Sequence, residues 1–203
     1  PTALQRLFHH EGERAVGRAA EAFNTLFGIS SLATVGIEEI AATIRTPKIF
    51  QLYYHKDKAL TWSMIDRCLD AGFDALALTV DTIVGGNRER DLWTGFTSPP
   101  KLTPSSLLSF ATHPSWTLNY LLRDPFQLSN LKDHVAEGSN ISISVSDYFS
   151  SMLDQSMDWA AAAEVRRRWG KAFCLKGIMS VEDAQRAVAV SYTHLRAHET
   201  RTY

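Results

Sequence analysis

Two runs, Phe50-Gln51-Leu52-Tyr53 and Ala77-Leu78-Thr79-Val80-Asp81-Thr82, start apolar and β-prone and end in amide, hydroxyl and carboxylate groups. Gln51 and Thr79 stand 28 positions apart, about one strand plus one helix. In a parallel α/β protein the C-terminal strand ends meet solvent where ligands bind, so polar groups there cost little and can do chemistry. Two such strands in succession predict a site built by a repeated βα unit.

The neighbouring pattern alternates in the same way. Glu11 to Phe23 reads as a helix, Leu26 to Ser30 as a strand, Ile37 to Ile44 as a helix, and Lys48 to Tyr53 as a strand after Pro47. Asp57 is placed to cap a helix whose Leu60, Met64, Ile65, Cys68 and Leu69 share one face, with Gly72 ending it. Asp74 to Thr79 is the next strand. From Val84 to Ser156 the rhythm breaks into a stretch carrying Pro99, Pro100, Pro104, Pro114 and Pro125, with short amphipathic pieces at Ser105 to Phe110 and Trp116 to Leu122. Excursions of that length are more often functional than idle. The alternation resumes with a helix from Asp158 to Trp169 closed by Gly170, a strand Ala172 to Lys176, and a helix from Val181 opened by Ser180.

Strand–helix alternation means a parallel sheet. Four strands start near Leu26, Lys48, Asp74 and Ala172, where a (β/α)8 TIM barrel needs eight. The fold expected is therefore α/β, about the first half of such a barrel, with a long Pro-rich insertion after the third visible strand. Residues 1–190 form that domain. The remaining 13-residue stretch, Ser191 to Tyr203, is polar and follows neither period. Val190 to Thr200 resembles a translated transposon-end adapter, so 191–203 reads as a non-native tail. His194 and His198, at helical spacing for a metal pair, are set aside with it.

A net charge of −1 argues against nucleic acid as the main partner, because phosphate-backbone binding needs a basic face. Apolar runs fall short of the roughly 18 residues that span a bilayer. The two cysteines, Cys68 and Cys174, read as buried reduced thiols rather than as a redox pair.

Several short motifs then occur in one order: Pro1-Thr2-Ala3, His10-Glu11-Gly12-Glu13, Ile29-Ser30-Ser31 with Glu38-Glu39, Phe50-Gln51-Leu52-Tyr53, Leu78-Thr79-Val80-Asp81-Thr82, Gly86-Asn87-Arg88-Glu89-Arg90-Asp91 and Leu175-Lys176-Gly177. Together they resemble the FMN-dependent α-hydroxy-acid dehydrogenases and oxidases over residues 1 to 190. Thr112-His113-Pro114-Ser115-Trp116 is most similar to the bacterial L-lactate dehydrogenase branch. The resemblance implies FMN as cofactor. Pro1, Thr2 and Ala3 would pass the reactive edge of the flavin, and Ser30, Gln51 and Thr79 would meet its ring and pyrimidine carbonyls. Lys176 would stand beside N1 and O2, where its charge stabilises the anionic reduced ring. Without the resemblance, Gln51 reads as a strand-end surface amide and Lys176 as a cation reaching solvent at the barrel mouth.

Tyr53 and Arg88 are the catalytic and substrate-binding residues the resemblance implies, the phenol for the α-hydroxyl and the guanidinium for the carboxylate of a small 2-hydroxy acid. Tyr54, pointing to the other face, and Arg90 receive no role. Trp93 stands where a basic residue is expected. Asp81 reads as a structural carboxylate tying neighbouring loops, and His9, His10 and His55 read as surface or helix-end residues.

The family's Ser-Asn-His-Gly-Gly-Arg-Gln motif, carrying the proton-abstracting histidine, would begin where the tail starts, so the chain as given is expected to be inactive and to hold FMN poorly. For the intact protein the resemblance implies L-lactate or another 2-hydroxy acid as substrate, a quinone or other electron acceptor, and a homo-oligomer. It also implies a cytoplasmic protein peripheral to the inner face of the membrane, docked through residues 95–138, the alternative being that these residues pack on the barrel or cap its mouth. The alternatives are another FMN-dependent barrel enzyme, an oxidase or isomerase, or a non-catalytic partial barrel.

Overall fold

The computed structural model describes residues 1–82, 89–94, 103–125, 127–131, 151–189 and 194–196. Five strands, β1 (Phe27–Ser30), β2 (Lys48–Leu52), β3 (Ala75–Thr79), β4 (Ala172–Lys176) and β5 (His194–Arg196), form one sheet in that order. Every neighbouring pair is parallel. Helices α1 (Glu13–Ala22), α2 (Ile37–Thr43), α3 (Lys58–Asp70), α4 (Glu89–Thr94), α5 (Pro104–Thr112), α6 (Pro114–Leu121), α7 (Trp159–Trp169) and α8 (Val181–Ala189) accompany it.

The helix ends follow local chemistry. Asp57 accepts from Ala59 N at 2.9 Å and Leu60 N at 3.4 Å, starting α3. Asp158 does the same for α7 through Ala161 N at 2.9 Å. Ser180 and Asp183 exchange hydrogen bonds of 3.0 Å at the head of α8. Gly72 and Gly170 close α3 and α7 at φ of 70° and 68°, backbone that an L side chain rarely adopts.

Pleating divides the strand residues between two faces. Phe27, Ile29, Phe50, Leu52, Leu76, Leu78, Phe173 and Leu175 share one face and are buried among Ile37, Ile40, Leu60, Met64, Ile65, Val165 and Trp169 of the helices. Phe50 meets Phe73 edge-on with ring centroids 6.2 Å apart. Truncating either ring costs about 3–5 kcal/mol. The other face carries Gly28, Ile49, Ala75, Ala77 and Cys174, small groups for the most part, and then Ser30, Gln51, Thr79 and Lys176 at the C-terminal ends.

The insertion is tied back at two places. Ser129 Oγ donates to Thr34 O at 2.9 Å, and Asn130 Oδ1 accepts from Ile37 N at 3.1 Å. Near its C-terminal end, Leu153 bridges His55 antiparallel, and Lys56 N donates to Met152 O at 2.9 Å. Asp154 forms an ion pair with Lys58, whose ammonium lies 3.7 Å from the Tyr54 ring centroid. Among the described residues no helix is long and apolar enough to cross a membrane.

Three expectations are revised. A short helix, α4, forms at Glu89–Thr94 where none is read from the pattern. His194–Arg196 is a strand, the fifth, in what reads as a patternless tail. Its pairing with Cys174–Lys176 is a backbone matter, since the free edge of β4 offers N–H and C=O groups whatever side chains approach. His55 is fully buried rather than at the surface, because the Leu153 bridge covers it and Thr61 Oγ1 accepts from its backbone N at 3.1 Å.

Candidate functional site

Ser30, Gln51, Thr79 and Lys176 end four successive strands on one face of the sheet. Ser30 pairs with Gln51 in register, and Thr79 with Lys176. The first three side chains are 2%, 3% and 1% exposed, so each must satisfy its polar atoms locally. They do so in a relay. Leu32 N donates to Ser30 Oγ at 3.2 Å, Ser30 Oγ donates to Gln51 Oε1 at 3.0 Å, and Gln51 Nε2 donates to Thr79 Oγ1 at 2.6 Å. Such a relay fixes which way the amide faces. Its second amide proton and the Thr79 hydroxyl proton remain as donors along this row. Lys176, half-buried, adds a cation at the end.

Tyr53 follows Gln51 by two residues and so continues its face. Ser31, fully buried, holds the turn there: its Oγ donates to Gln51 O at 2.8 Å and accepts from Tyr53 N at 3.2 Å. Tyr54 points the other way, into the core against Trp62 with ring centroids 6.4 Å apart. Arg88, and with it Gly86 and Asn87, lies outside the described residues.

The Pro1–Ala3 segment reaches the same wall. A Cβ built on Gly28 would lie 3.6 Å from Pro1 Cβ, so the proline ring covers β1 on the face that carries Ser30. Thr2 O accepts from Gln5 Nε2 at 3.1 Å, and Leu4 N donates to Leu32 O at 3.1 Å, with Leu4 held at φ 53°. Positive φ in a leucine costs of order 1–3 kcal/mol and persists where surrounding contacts over-determine it. Those contacts come from Glu13, buried in the first turn of α1. It accepts from Thr34 Oγ1 at 2.6 Å, Thr34 N at 2.9 Å and Gln5 N at 3.4 Å.

On the far side of the wall, Gly177 has φ 105°, and a Cβ there would fall 2.6 Å from Asp81 Cβ and 2.7 Å from its Oδ1. Val80 N donates to Lys176 O at 2.9 Å. Asp81 thus packs on the loop that follows Lys176, in keeping with a carboxylate that ties neighbouring loops. Trp93 is 84% exposed on α4. Neither Cys68 nor Cys174 is in a disulfide; Cys68 is buried as expected, which pushes its thiol well above the usual range, whereas Cys174 is half-buried rather than buried.

Sequence reasoning gave no role to Ser31 or Asn130. Asn130, 1% exposed, reaches the mouth of the sheet from a distant part of the chain, and no local pattern announces that.

A parallel α/β sheet with neutral hydrogen-bonding groups and a terminal lysine along its C-terminal edge defines part of a cofactor-binding (β/α)8 barrel. The donor set suits the edge of a flat heterocycle with alternating N–H and C=O groups, so the residues present fit a flavin. The family model of FMN-dependent dehydrogenases matches residues 1–195, and the chain belongs to that family. Glycolate oxidase of Spinacia oleracea is 34% identical over 188 residues, 93% of this chain and 45% of that protein. L-lactate dehydrogenase of Pseudomonas paraeruginosa is 32% identical over 189 residues, 93% of this chain and 49% of that protein. The crystal structure of the monotopic membrane protein (S)-mandelate dehydrogenase superposes with a TM-score of 0.88 at 28% identity, over 98% of this chain and 52% of that one. A mandelate oxidase structure follows at TM-score 0.71 and 31% identity, over 96% of this chain and 46% of that one. The chain spans about half the length of the curated relatives it matches.

Proposed function

We propose that the intact protein is an FMN-dependent (S)-2-hydroxy-acid dehydrogenase acting on L-lactate and giving the 2-oxo acid. The observation that carries this reading is the buried Ser30–Gln51–Thr79 relay with Lys176 at its end. FMN, when bound, supplies the two-electron acceptor. Gln51 and Thr79 orient the ring through the protons their relay leaves free, and Pro1, Thr2 and Ala3 close over its reactive edge. The Lys176 ammonium holds negative charge at the pyrimidine end. Tyr53 donates to the substrate hydroxyl region, and Arg88 grips the carboxylate in a bidentate pair. None of the residues assigned above takes the substrate proton, and the proposal includes that residues 1–203 alone turn over no substrate and bind FMN weakly.

Lactate is favoured over glycolate or mandelate by the likeness of Thr112–Trp116 to the bacterial lactate dehydrogenase branch. The same insertion supports peripheral contact with the inner face of the membrane and a quinone-type acceptor. Leu107, Leu108, Leu118, Leu121 and Leu122 on and beside α5 and α6 are 52–75% exposed, and the (S)-mandelate dehydrogenase on which the chain superposes is a monotopic membrane protein. Homo-oligomerisation of the intact, cytoplasmic enzyme belongs to the same proposal. So does the foreign origin of residues 191–203, which in-frame source DNA downstream of Val190 tests directly.

The enzymatic reading is checked by mixing intact, flavin-loaded protein with L-lactate under anaerobic conditions. Bleaching of the oxidised flavin band is expected. A spectrum unchanged by every 2-hydroxy acid tried refutes it.

A further inference from the structure

We propose that a cleft between α7 and α8 is a binding site for molecules carrying two or more phosphate groups, separate from the flavin wall. The cleft has a volume of about 500 Å3 and is lined by Trp159, Ala163, Arg166, Arg167, Gly170, Lys171 and Arg186. Four of these seven residues are cationic, and among the described residues no Asp or Glu lines it. The chain as a whole carries −1, so the cluster is a local excess rather than a reflection of composition.

Helix ends explain part of this. Arg166, Arg167 and Arg186 each sit in the last turn of a helix, where a cation is favoured by the helix dipole. That accounts for each arginine alone but not for their convergence, nor for Lys171 in the following loop. Like charges brought around one concavity repel, and an anion relieves the repulsion. Two of the four are already oriented. The Arg186 guanidinium lies 5.2 Å from the Trp159 ring centroid, and Lys171 Nζ donates to Phe73 O at 3.2 Å. Both keep donors to spare, because a guanidinium has five N–H groups and an ammonium three.

Size and position narrow the ligand. A single phosphate fills a small fraction of about 500 Å3, a volume typical of sites for larger small molecules. Gly170 and Lys171 precede Ala172, whereas Lys176 ends the same strand, so the Gly170–Lys171 end of the cleft lies on the N-terminal side of the sheet. Along β4 that separation is about 13 Å. A diphosphate bridging Arg167 and Arg186 is therefore remote from the flavin wall, and the inference does not rest on the redox reading.

Inorganic pyrophosphate titrated into the 203-residue chain in about 150 mM chloride, where surface electrostatics are screened, tests the soluble source. Vesicles of diphosphatidylglycerol, against phosphatidylglycerol vesicles of equal total phosphate, test the lipid source. Saturable binding of either diphosphate is expected, weakened about tenfold by Arg167→Glu and by Lys171→Glu and unchanged by Arg45→Glu on the exposed surface elsewhere. Arg167 and Lys171 are exposed, and far-ultraviolet circular dichroism verifies that the variants fold; Arg186→Gln is a milder third probe. Binding of neither diphosphate, or binding that all three cleft variants leave intact, overturns the proposal.

Discussion

Gly177→Ala separates two costs that the structure places at one residue. The first is conformational: φ of 105° is outside the range of L side chains, a penalty of order 1–3 kcal/mol. The second is steric. The new methyl would stand 2.6 Å from Asp81 Cβ and 2.7 Å from Asp81 Oδ1, and overpacking of this kind costs about 1–3 kcal/mol. The sum is about 2–6 kcal/mol, a large part of a domain's stability. Gly72→Ala provides the comparison, since φ there is 70° and nothing lies within 4 Å of its added Cβ. It should cost only about 1 kcal/mol. Urea unfolding followed by tryptophan fluorescence measures both. Asp81→Gly in the Gly177→Ala background removes the whole steric part, whereas Asp81→Ala removes the crowding Cγ and Oδ1 but keeps the Cβ. Partial recovery with alanine and fuller recovery with glycine are therefore expected. Equal losses for Gly177→Ala and Gly72→Ala, or equal rescue by both Asp81 variants, would refute the reasoning.

Gln51→Leu leaves Ser30 and Thr79 facing an apolar side chain and should cost about 1–3 kcal/mol in urea unfolding; in the intact protein, flavin fluorescence titration should show FMN affinity falling at least tenfold. Glu13→Ala strips three acceptor interactions from Thr34 and Gln5 and should cost about 2–4 kcal/mol, with proteolysis near Leu4 rising in parallel. Asp154, held at about 2 instead of 3.8 chiefly by its hydrogen bond from Lys58, with Ser156 adding to it, stabilises the fold above pH 4 and loses that contribution as pH falls from about 4 toward 2. After solvent screening the contribution is about 1 kcal/mol, so Asp154→Asn should flatten the acid limb of the stability profile, and an unchanged limb counts against the pairing. Leu108→Asp with Leu121→Asp should abolish co-sedimentation with liposomes if the exposed α5–α6 face is a membrane contact; undiminished sedimentation assigns that contact elsewhere.

The elements legible in the sequence are those whose signals are local. Asp57 and Gly72 bracket α3, Asp158 and Gly170 bracket α7, and the alternation of Ala and Leu along β3 reports its two faces directly. The candidate wall was legible for the same reason, because Ser30, Gln51, Thr79 and Lys176 occupy equivalent positions at the ends of successive strands. What escaped depends on contacts distant in sequence. Asn130 reaches Ile37 N across 93 positions, and His55 is buried only because Leu153 arrives from beyond the insertion. β5 escaped because a parallel edge recruits backbone without asking for a side-chain pattern.

The insertion interrupts the chain after β3, yet two of its segments return to opposite parts of the same mouth. Residues 129–131 close on the β1–α2 loop that carries Ser31 and Thr34, and residues 152–154 close on the β2–α3 loop just past Tyr53. From its middle, Trp116 Nε1 donates to Leu7 O at 2.9 Å and His10 Nδ1 lies 3.0 Å from Asn119 Oδ1. The exposed leucines of α5 and α6 are thus joined through Trp116 and Asn119 of α6 to the segment that follows Pro1–Ala3. These two contacts hold α6 against the loop beside the candidate wall, while the sheet beneath is fixed by its apolar face.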